Sequence, residues 1–254
     1  MTHKTRRLGL LVAIATGSVL LVQGAANALP VGAPKTGILC TNGGPGLTAT
    51  FNLATRTGSV QTPDGNSVFM WGYSDTDAES FDHPTGGGDF QAPGPVLCVT
   101  EDQTVTVNLT NTLSEPVSIV FPGQADVKAT GGSPGVLTTE AAAVGLPGDS
   151  VSYTFTASNP GTYLYESGTD PSKQVEMGLY GALVVRPSDG DNFAYNDPST
   201  LFDPKREYLL LLSELDPDLH RAVETGGTYD FTKLRSNRRS RRYIRIPLEK
   251  PLAA

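Results

Sequence analysis

Residues 104–109 read Thr-Val-Thr-Val-Asn-Leu, so that apolar and polar side chains alternate along the chain. Successive side chains of a β-strand point to opposite faces, and this alternation therefore predicts a strand with one buried and one solvated face. Helical periodicity is nearly absent, and the sequence predicts an all-β protein. Similar runs, each bounded by Gly, Pro, Asn or Asp, are residues 47–53, 67–71, 117–121, 151–156 and 161–165.

The connections between these runs favour a sandwich or a barrel over an α/β fold. The chain has 28 Gly and 19 Pro, which suit many short turns. Residues 62–66, Thr-Pro-Asp-Gly-Asn, lie between two runs and predict a β-hairpin. The apolar run at residues 207–213 predicts a strand that is buried on both faces. Residues 216–223 predict a short helix with Asp216 as its cap and Pro217 in its first turn.

The N-terminus predicts export. Lys4, Arg6 and Arg7 precede an apolar run that ends at Ala-Asn-Ala, residues 26–28, so residues 1–28 are typical of a cleaved secretory signal peptide. Polar residues and glycines interrupt the run, which disfavours a membrane anchor. The paired arginines fit the twin-arginine route, although a basic leader also holds adjacent arginines by chance. We expect a secreted or periplasmic protein.

Charge separates the body of the chain from its C-terminal segment. Residues 29–232 hold 25 acidic and 8 basic side chains, a net charge near −17. Such a field repels nucleic acids and anionic membranes, so we expect neither as a partner. Residues 233–254 hold eight basic side chains, one acidic side chain and no glycine. This tail is either a basic arm for an acidic surface or nucleic acid, or a segment foreign to the fold, as after a frameshift. The incomplete domain before it favours the second interpretation.

The only two cysteines are Cys40 and Cys98. In an exported chain they predict one disulfide, whose loop of more than fifty residues corresponds to about 4 kcal/mol in the chain-entropy model. Two buried thiols are the alternative. A metal site is disfavoured, because neither cysteine has a nearby cysteine or histidine to complete four-fold coordination.

Three blocks of sequence resemble a known family. Residues 94–111 read Gly-Pro-Val-Leu-Cys-Val-Thr-Glu-Asp-Gln-Thr-Val-Thr-Val-Asn-Leu-Thr-Asn, residues 161–168 read Gly-Thr-Tyr-Leu-Tyr-Glu-Ser-Gly, and residues 174–187 read Gln-Val-Glu-Met-Gly-Leu-Tyr-Gly-Ala-Leu-Val-Val-Arg-Pro. In order and separation they resemble the N-terminal domain of multicopper oxidases, the laccase-like family, over residues 36–232. The resemblance implies a Greek-key, cupredoxin-like β-sandwich. In the family it implies copper binding and oxidation of small substrates with reduction of oxygen.

The family's copper ligands are absent. The first domain of such oxidases supplies a His-x-His pair and a Tyr-His-Ser-His block to a trinuclear copper cluster. The four matching positions here hold Val120, Pro122, Glu166 and Gly168. Three of these residues have no side-chain donor atom, and Glu166 offers a hard oxygen where copper favours imidazole or sulfur. We therefore expect no bound copper, no metal site and no catalytic residue in this chain by itself.

The remaining histidines do not rebuild a site. His3 lies in the signal peptide, and we expect His83, in an acidic loop, and His220, on the predicted helix, at the surface. The acidic loop, residues 73–93, has carboxylates that suit Ca²⁺, but it lacks the glycine and glutamate spacing of an EF-hand, so a solvated loop is favoured. Ser167 has no histidine nearby in sequence to activate it as a nucleophile.

These observations predict three regions after the signal peptide. Residues 29–187 form a cupredoxin-like domain, residues 188–232 a linker and the incomplete start of a second one, and residues 233–254 the basic tail. One hypothesis is a degenerate, truncated packing domain for the remaining cupredoxin domains of an oxidase, with residues 209–212 uncovered. The other is a secreted binding or scaffold module with a closed sheet edge. An active oxidase assembled with other chains is disfavoured, because the ligand positions hold the wrong chemistry.

Overall fold

The structure is a computed structural model that describes residues 38–44, 46–77 and 88–231. The predicted signal peptide, His3, His83 and the basic tail lie outside these residues. The described strands and helix are β1 (Thr41–Asn42), β2 (Thr48–Gln61), β3 (Ser67–Asp75), β4 (Leu97–Thr100), β5 (Thr104–Thr110), β6 (Lys128–Gly131), β7 (Ser133–Pro134), β8 (Thr139–Glu140), β9 (Ser150–Thr156), β10 (Gly161–Glu166), β11 (Tyr180–Arg186) and α1 (Pro217–Thr225).

Two sheets contain most of these strands. Sheet A has the order β1-β4-β11-β10, sheet B has the order β3-β2-β5-β9-β6, and β7 and β8 form a separate two-stranded pair. The pairs β2–β5 and β4–β11 are parallel, so the chain crosses between the sheets as in a Greek-key fold. The structure confirms the predicted all-β, Greek-key, cupredoxin-like β-sandwich.

The alternation that predicts the strands also builds the core. In β5 and β9 every second side chain points inward, and the opposed inward pairs are Val105–Phe155, Val107–Tyr153 and Leu109–Val151. All six are buried. Burying one large apolar side chain stabilises a fold by about 1.5–3 kcal/mol, so rows of this kind hold the two sheets together.

Local predictions of the turn and the helix are confirmed. In the hairpin between β2 and β3, the Thr62 backbone N–H donates to the Asn66 carbonyl at 2.8 Å, and Gly65 supplies the positive φ of +83°. The carboxylate of Asp216 accepts from the backbone N–H groups of Asp218 and Leu219 and caps α1. This capping satisfies two donors that the first helical turn would otherwise leave unpaired.

Two predicted strands are wrong. Residues 117–121 make only isolated bridges, Val117 with Ala141 and Val120 with Glu166, because the run passes between two different neighbours. Residues 207–213 are extended but pair with no strand among the described residues. The apolar composition of this run favours an extended, buried conformation, but it does not determine whether another strand is available for pairing. Burial along this run is alternating and one-sided.

The chain after β11 packs onto the sandwich. Leu219 of α1 belongs to the main core cluster, and Val223 and Tyr229 pack against that cluster. The partition of residues 188–232 into a linker and the start of a second domain stays a prediction. In the part of the chain that the structure describes, no helix is long and apolar enough to cross a membrane.

Candidate functional site

The fold brings three of the four family ligand positions together. Val120 and Glu166 form a two-way backbone bridge, in which Val120 N donates to the Glu166 carbonyl at 2.8 Å and Glu166 N donates to the Val120 carbonyl at 3.1 Å. Gly168 follows two residues after Glu166 and lies against Val120. Pro122 is exposed.

The space at Gly168 is filled by its neighbours. A Cβ atom at this residue would lie 2.6 Å from Cγ1 of Val120, 3.2 Å from Oγ of Ser118 and 3.4 Å from Cβ of Leu137. Real Cβ atoms essentially never approach a heavy atom to 2.6 Å. A larger residue at 168, including histidine, therefore requires the side chain of Val120 or one of the two backbones to move.

The residues at these positions do not fit copper. Val120 presents methyl groups, Gly168 has no side chain, and Glu166 alone carries a donor. Copper sites in proteins are built from several imidazole and sulfur ligands. Within residues 38–44, 46–77 and 88–231, no group of three or more His, Cys, Asp or Glu side chains is placed to hold a metal ion.

A buried polar network lies next to the same positions. Ser167 is fully buried, and its hydroxyl donates to Oε1 of Gln174 at 2.5 Å. The amide nitrogen of Gln174 donates to Oε1 of Glu115 at 2.8 Å and to the Pro116 carbonyl at 2.9 Å. Lys173 forms an ion pair with Glu115 and lies 5.2 Å above the ring of Trp71. Among the described residues, no buried side-chain nitrogen or oxygen of this network lacks a hydrogen-bond partner, which is what burial requires.

This network holds a loop and has no reactive group. The hydroxyl of Ser167 faces an amide oxygen, which cannot accept its proton as a general base. Thr169 continues the network, since its hydroxyl donates to Oγ of Ser118 at 2.9 Å. Sequence reasoning missed the set, because its members come from three separated segments with no shared spacing.

Two buried tyrosines contact or belong to the segments that carry the ligand positions. Tyr73 donates to the Ser118 carbonyl at 2.9 Å, Tyr165 donates to the Pro95 carbonyl at 2.7 Å, and their ring centroids are 5.8 Å apart. Burial raises the pKa of both phenols well above the ordinary value, so they stay neutral hydrogen-bond donors. They anchor the loops and do not act as acids or bases near neutral pH.

Cys40 and Cys98 form a disulfide, with Cα atoms 5.5 Å apart. It links the residue before β1 to β4, across a sequence separation of 58 residues. A cavity of about 580 Å³ lies beside it, lined in part by Arg186, Lys205 and Glu207. None of the family ligand positions lines this cavity, so it is separate from the site around Val120.

The prediction of a surface position for His220 is wrong. Its side chain is 1% exposed and lies between α1 and β3, where Nδ1 is 2.5 Å from the Phe69 carbonyl. Nε2 is buried with no hydrogen-bond partner among the described residues. Burial lowers the pKa of this imidazole, while backbone contacts of Phe69 and Glu176 and the charge of Asp216 act in the opposite direction. The sequence alone does not show that the helix turns this face onto the sheet.

The acidic loop is described only at its ends, and His83 lies outside the described residues. At the N-terminal end of the loop, the carboxylate of Asp77 accepts from the side-chain amide of Asn52 at 2.8 Å, and the carboxylate of Asp75 accepts from the Asp77 backbone N–H at 3.0 Å. These carboxylates are engaged by protein donors, and the Ca²⁺ interpretation gains no support from them.

Comparisons with known proteins place the site in a family context. A family model described as "Multicopper oxidase" matches residues 79–190. The chain is 32% identical over 147 residues to copper resistance protein A of Escherichia coli, covering 56% of this chain and 22% of that protein. It is 36% identical over 101 residues to L-ascorbate oxidase of Cucurbita pepo var. melopepo, covering 39% and 18%.

A solved structure of copper nitrite reductase from Nitrosomonas europaea matches with a TM-score of 0.47 and 26% identity, covering 70% of this chain and 53% of that one. The chain spans about a fifth of the length of the two curated relatives named above. What those proteins do as wholes is therefore not carried over directly to this chain.

Proposed function

We propose that this chain, whose residues 79–190 match the multicopper oxidase family model, supplies a copper-free packing domain of the cupredoxin type. The observation that carries this proposal is the contact at the ligand positions. A methyl group of Val120 takes the space beside Gly168, and none of the four family positions holds a histidine or a cysteine. Because these positions offer no copper-ligand set and the adjoining Ser167 faces an amide oxygen, the proposed domain does not oxidise substrates by itself.

An apolar rim supports a packing role for the same face. Leu137 lies beside Gly168 and is exposed, as is its neighbour Val136, and two further exposed apolar residues, Val144 and Leu146, follow β8 in the chain. Val136 is 87% exposed. Clusters of exposed apolar side chains mark surfaces that another protein covers. We propose that a copper-bearing cupredoxin domain, on another chain or elsewhere in a longer protein, covers this face.

The second candidate is an exported binding or scaffold module that uses the same rim for an unrelated protein or polymer. The acidic body, net near −17, suits a soluble module outside the cell. The leader at residues 1–28 supports export for both candidates. The two differ in whether the covering partner carries copper.

The first experiment is copper loading of residues 29–254, which omit His3, followed by desalting and metal analysis. We expect sub-stoichiometric copper and no absorption band of thiolate-bound or oxo-bridged copper. A Glu166→Gln variant is the matched control, because Glu166 is the one donor at the family positions. Stoichiometric copper in the parent that is lost in this variant would overturn the proposal.

A second measurement separates the two candidates. Val136→Ser with Leu137→Ser removes the centre of the rim and leaves the core untouched. If the packing proposal is right, the parent forms a complex with a copper-loaded cupredoxin domain of the family in sedimentation, and the double variant does not. Binding of a copper-free partner alone would favour the scaffold module.

A further inference from the structure

An extended segment, residues 207–213, lies along the outer face of sheet A between two anchors on β11. At one end Arg186 makes two hydrogen bonds to the carboxylate of Glu207, at 2.7 and 2.6 Å. At the other end the hydroxyl of Tyr180 donates to Oγ of Ser213 at 2.6 Å. The anchors are the two ends of β11, so the segment runs antiparallel to this strand.

One face of this segment is open. Tyr208, Leu210 and Leu212 are 80%, 57% and 82% exposed, whereas the alternate side chains Leu209 and Leu211 are half-buried. Among the described residues, the backbone groups of residues 208–213 make no hydrogen bond to another backbone group. An extended, apolar segment whose backbone groups are unpaired among the described residues can act as a template for an additional strand.

Charge selects the occupant. A second copy of the chain would bring together two bodies that each carry about −17 between residues 29 and 232, which opposes their association. The basic tail has the opposite sign, with eight basic side chains and one acidic side chain in residues 233–254. It is also tethered, so its local concentration near the open face is high.

The tail contains a strand pattern of suitable length. Residues 241–246 read Arg-Arg-Tyr-Ile-Arg-Ile, in which Ile244 and Ile246 share one face and basic side chains dominate the other, and Pro247 follows. β-Branched and aromatic residues favour extended pairing, and proline ends it. Residues 241–246 therefore match the open segment in their alternating pattern and in their charge.

The end of the described chain is near enough for this pairing. The hydroxyl of Tyr229 donates to the carboxylate of Asp216 at 2.5 Å, which places the chain close to the C-terminal end of the open segment. Nine connecting residues, 232–240, reach up to about 30 Å at roughly 3.3 Å per residue. The open segment itself is about 20 Å long at the same rise.

We propose that residues 241–246 add to residues 208–213 as a strand in the same molecule, with Ile244 and Ile246 flanking Leu210 and Leu212. The basic tail is then an internal cover for the open segment. This inference does not depend on the copper-free role proposed above.

Hydrogen exchange read by mass spectrometry tests the pairing directly. We expect the backbone amides of residues 208–213 to exchange about tenfold or more slowly in the full 254-residue chain than in a chain ending at Phe231. The amides of β5 and β9 should exchange equally in both, which shows that the sandwich is intact. Equal exchange of residues 208–213 in the two chains would overturn the proposal.

Two proline variants of the full chain locate the pairing. Ile244→Pro removes a backbone donor within the proposed strand and should raise exchange at residues 208–213 to the level of the shortened chain. Ser236→Pro lies in the connecting stretch and should leave the exchange unchanged. Protection that disappears on dilution of the protein would instead indicate a second copy on this face, and it would overturn the proposal as stated.

Discussion

The interior between the two sheets has the side chains that the sandwich needs, whereas the face around Val120 lacks the side chains that a copper site needs. Between the sheets, Val107, Tyr153 and Leu183 are fully buried in regular apolar rows. Around Val120 the backbone forms a bridge to Glu166, while the side chains at the family positions do not suit copper. Apolar burial and strand pairing maintain a sandwich whatever its sites do, whereas ligand chemistry rests on a few side chains that stability does not require.

The largest effect on stability is expected from removal of the disulfide, which is part of the sandwich and not of the ligand positions. Replacing both residues, Cys40→Ser with Cys98→Ser, should lower the free energy of unfolding by about 4 kcal/mol, because the loop closed across 58 residues is released in the unfolded chain. Urea denaturation without reductant measures the change. The parent in excess reductant should behave alike, and a loss below about 1 kcal/mol would contradict a framework role.

A core truncation comes next. Leu109→Ala in β5 removes a fully buried side chain opposite Val151 and should cost about 3 kcal/mol, from lost burial and the cavity left behind. Leu146→Ala, at an exposed position, is the control and should change stability by less than about 0.5 kcal/mol. Equal effects in urea denaturation would mean that the interior rows do not carry the stability.

At the ligand positions, a histidine should be harmful and should not restore copper. Gly168→His forces a side chain into the space held by Val120 and should lower the free energy of unfolding by about 2 kcal/mol. Adding Val120→Ala removes the close methyl group and should recover about half of this loss. If Gly168→His alone left the free energy of unfolding unchanged and bound copper stoichiometrically, Val120 would not be the obstacle to a histidine at this position.

The smallest effect concerns pH. Burial lowers the pKa of His220 in the folded chain, so the unfolded chain binds more protons as pH falls. The stability contributed by the neutral imidazole is therefore complete above an unfolded pKa of about 6.5 and is lost as pH falls through the lower folded value. His220→Gln should show a smaller drop in the urea midpoint from about pH 7.5 to about pH 5. Parallel drops in the two proteins would refute this.

The sequence predicts the strands and the helix of the sandwich because the signals for these elements are local. Alternation placed β2, β5 and β9, and the cap at Asp216 placed α1. The motif positions Val120, Glu166 and Gly168 could be named because the resemblance fixes their order along the chain. That three of them meet in space, and that Val120 fills the room at Gly168, follows from the fold alone.

What the sequence did not reveal depends on packing between distant segments. The link from Ser167 through Gln174 to Glu115 joins residues up to 59 positions apart and leaves no periodic pattern. His220 is buried because α1 docks on β3, which no helical signal specifies. The run at residues 207–213 shows that apolar composition predicts extension and burial better than it predicts a partner strand.

The contact between Val120 and Gly168 also bears on how such a domain evolves. While valine stays at position 120, a mutation to histidine at 168 meets a steric barrier before it offers any benefit in metal binding. The two positions are thus epistatic, and placing histidine at 168 without strain needs a second change at position 120. The order in which substitutions at these two positions can be tolerated is in this sense set by a single methyl contact.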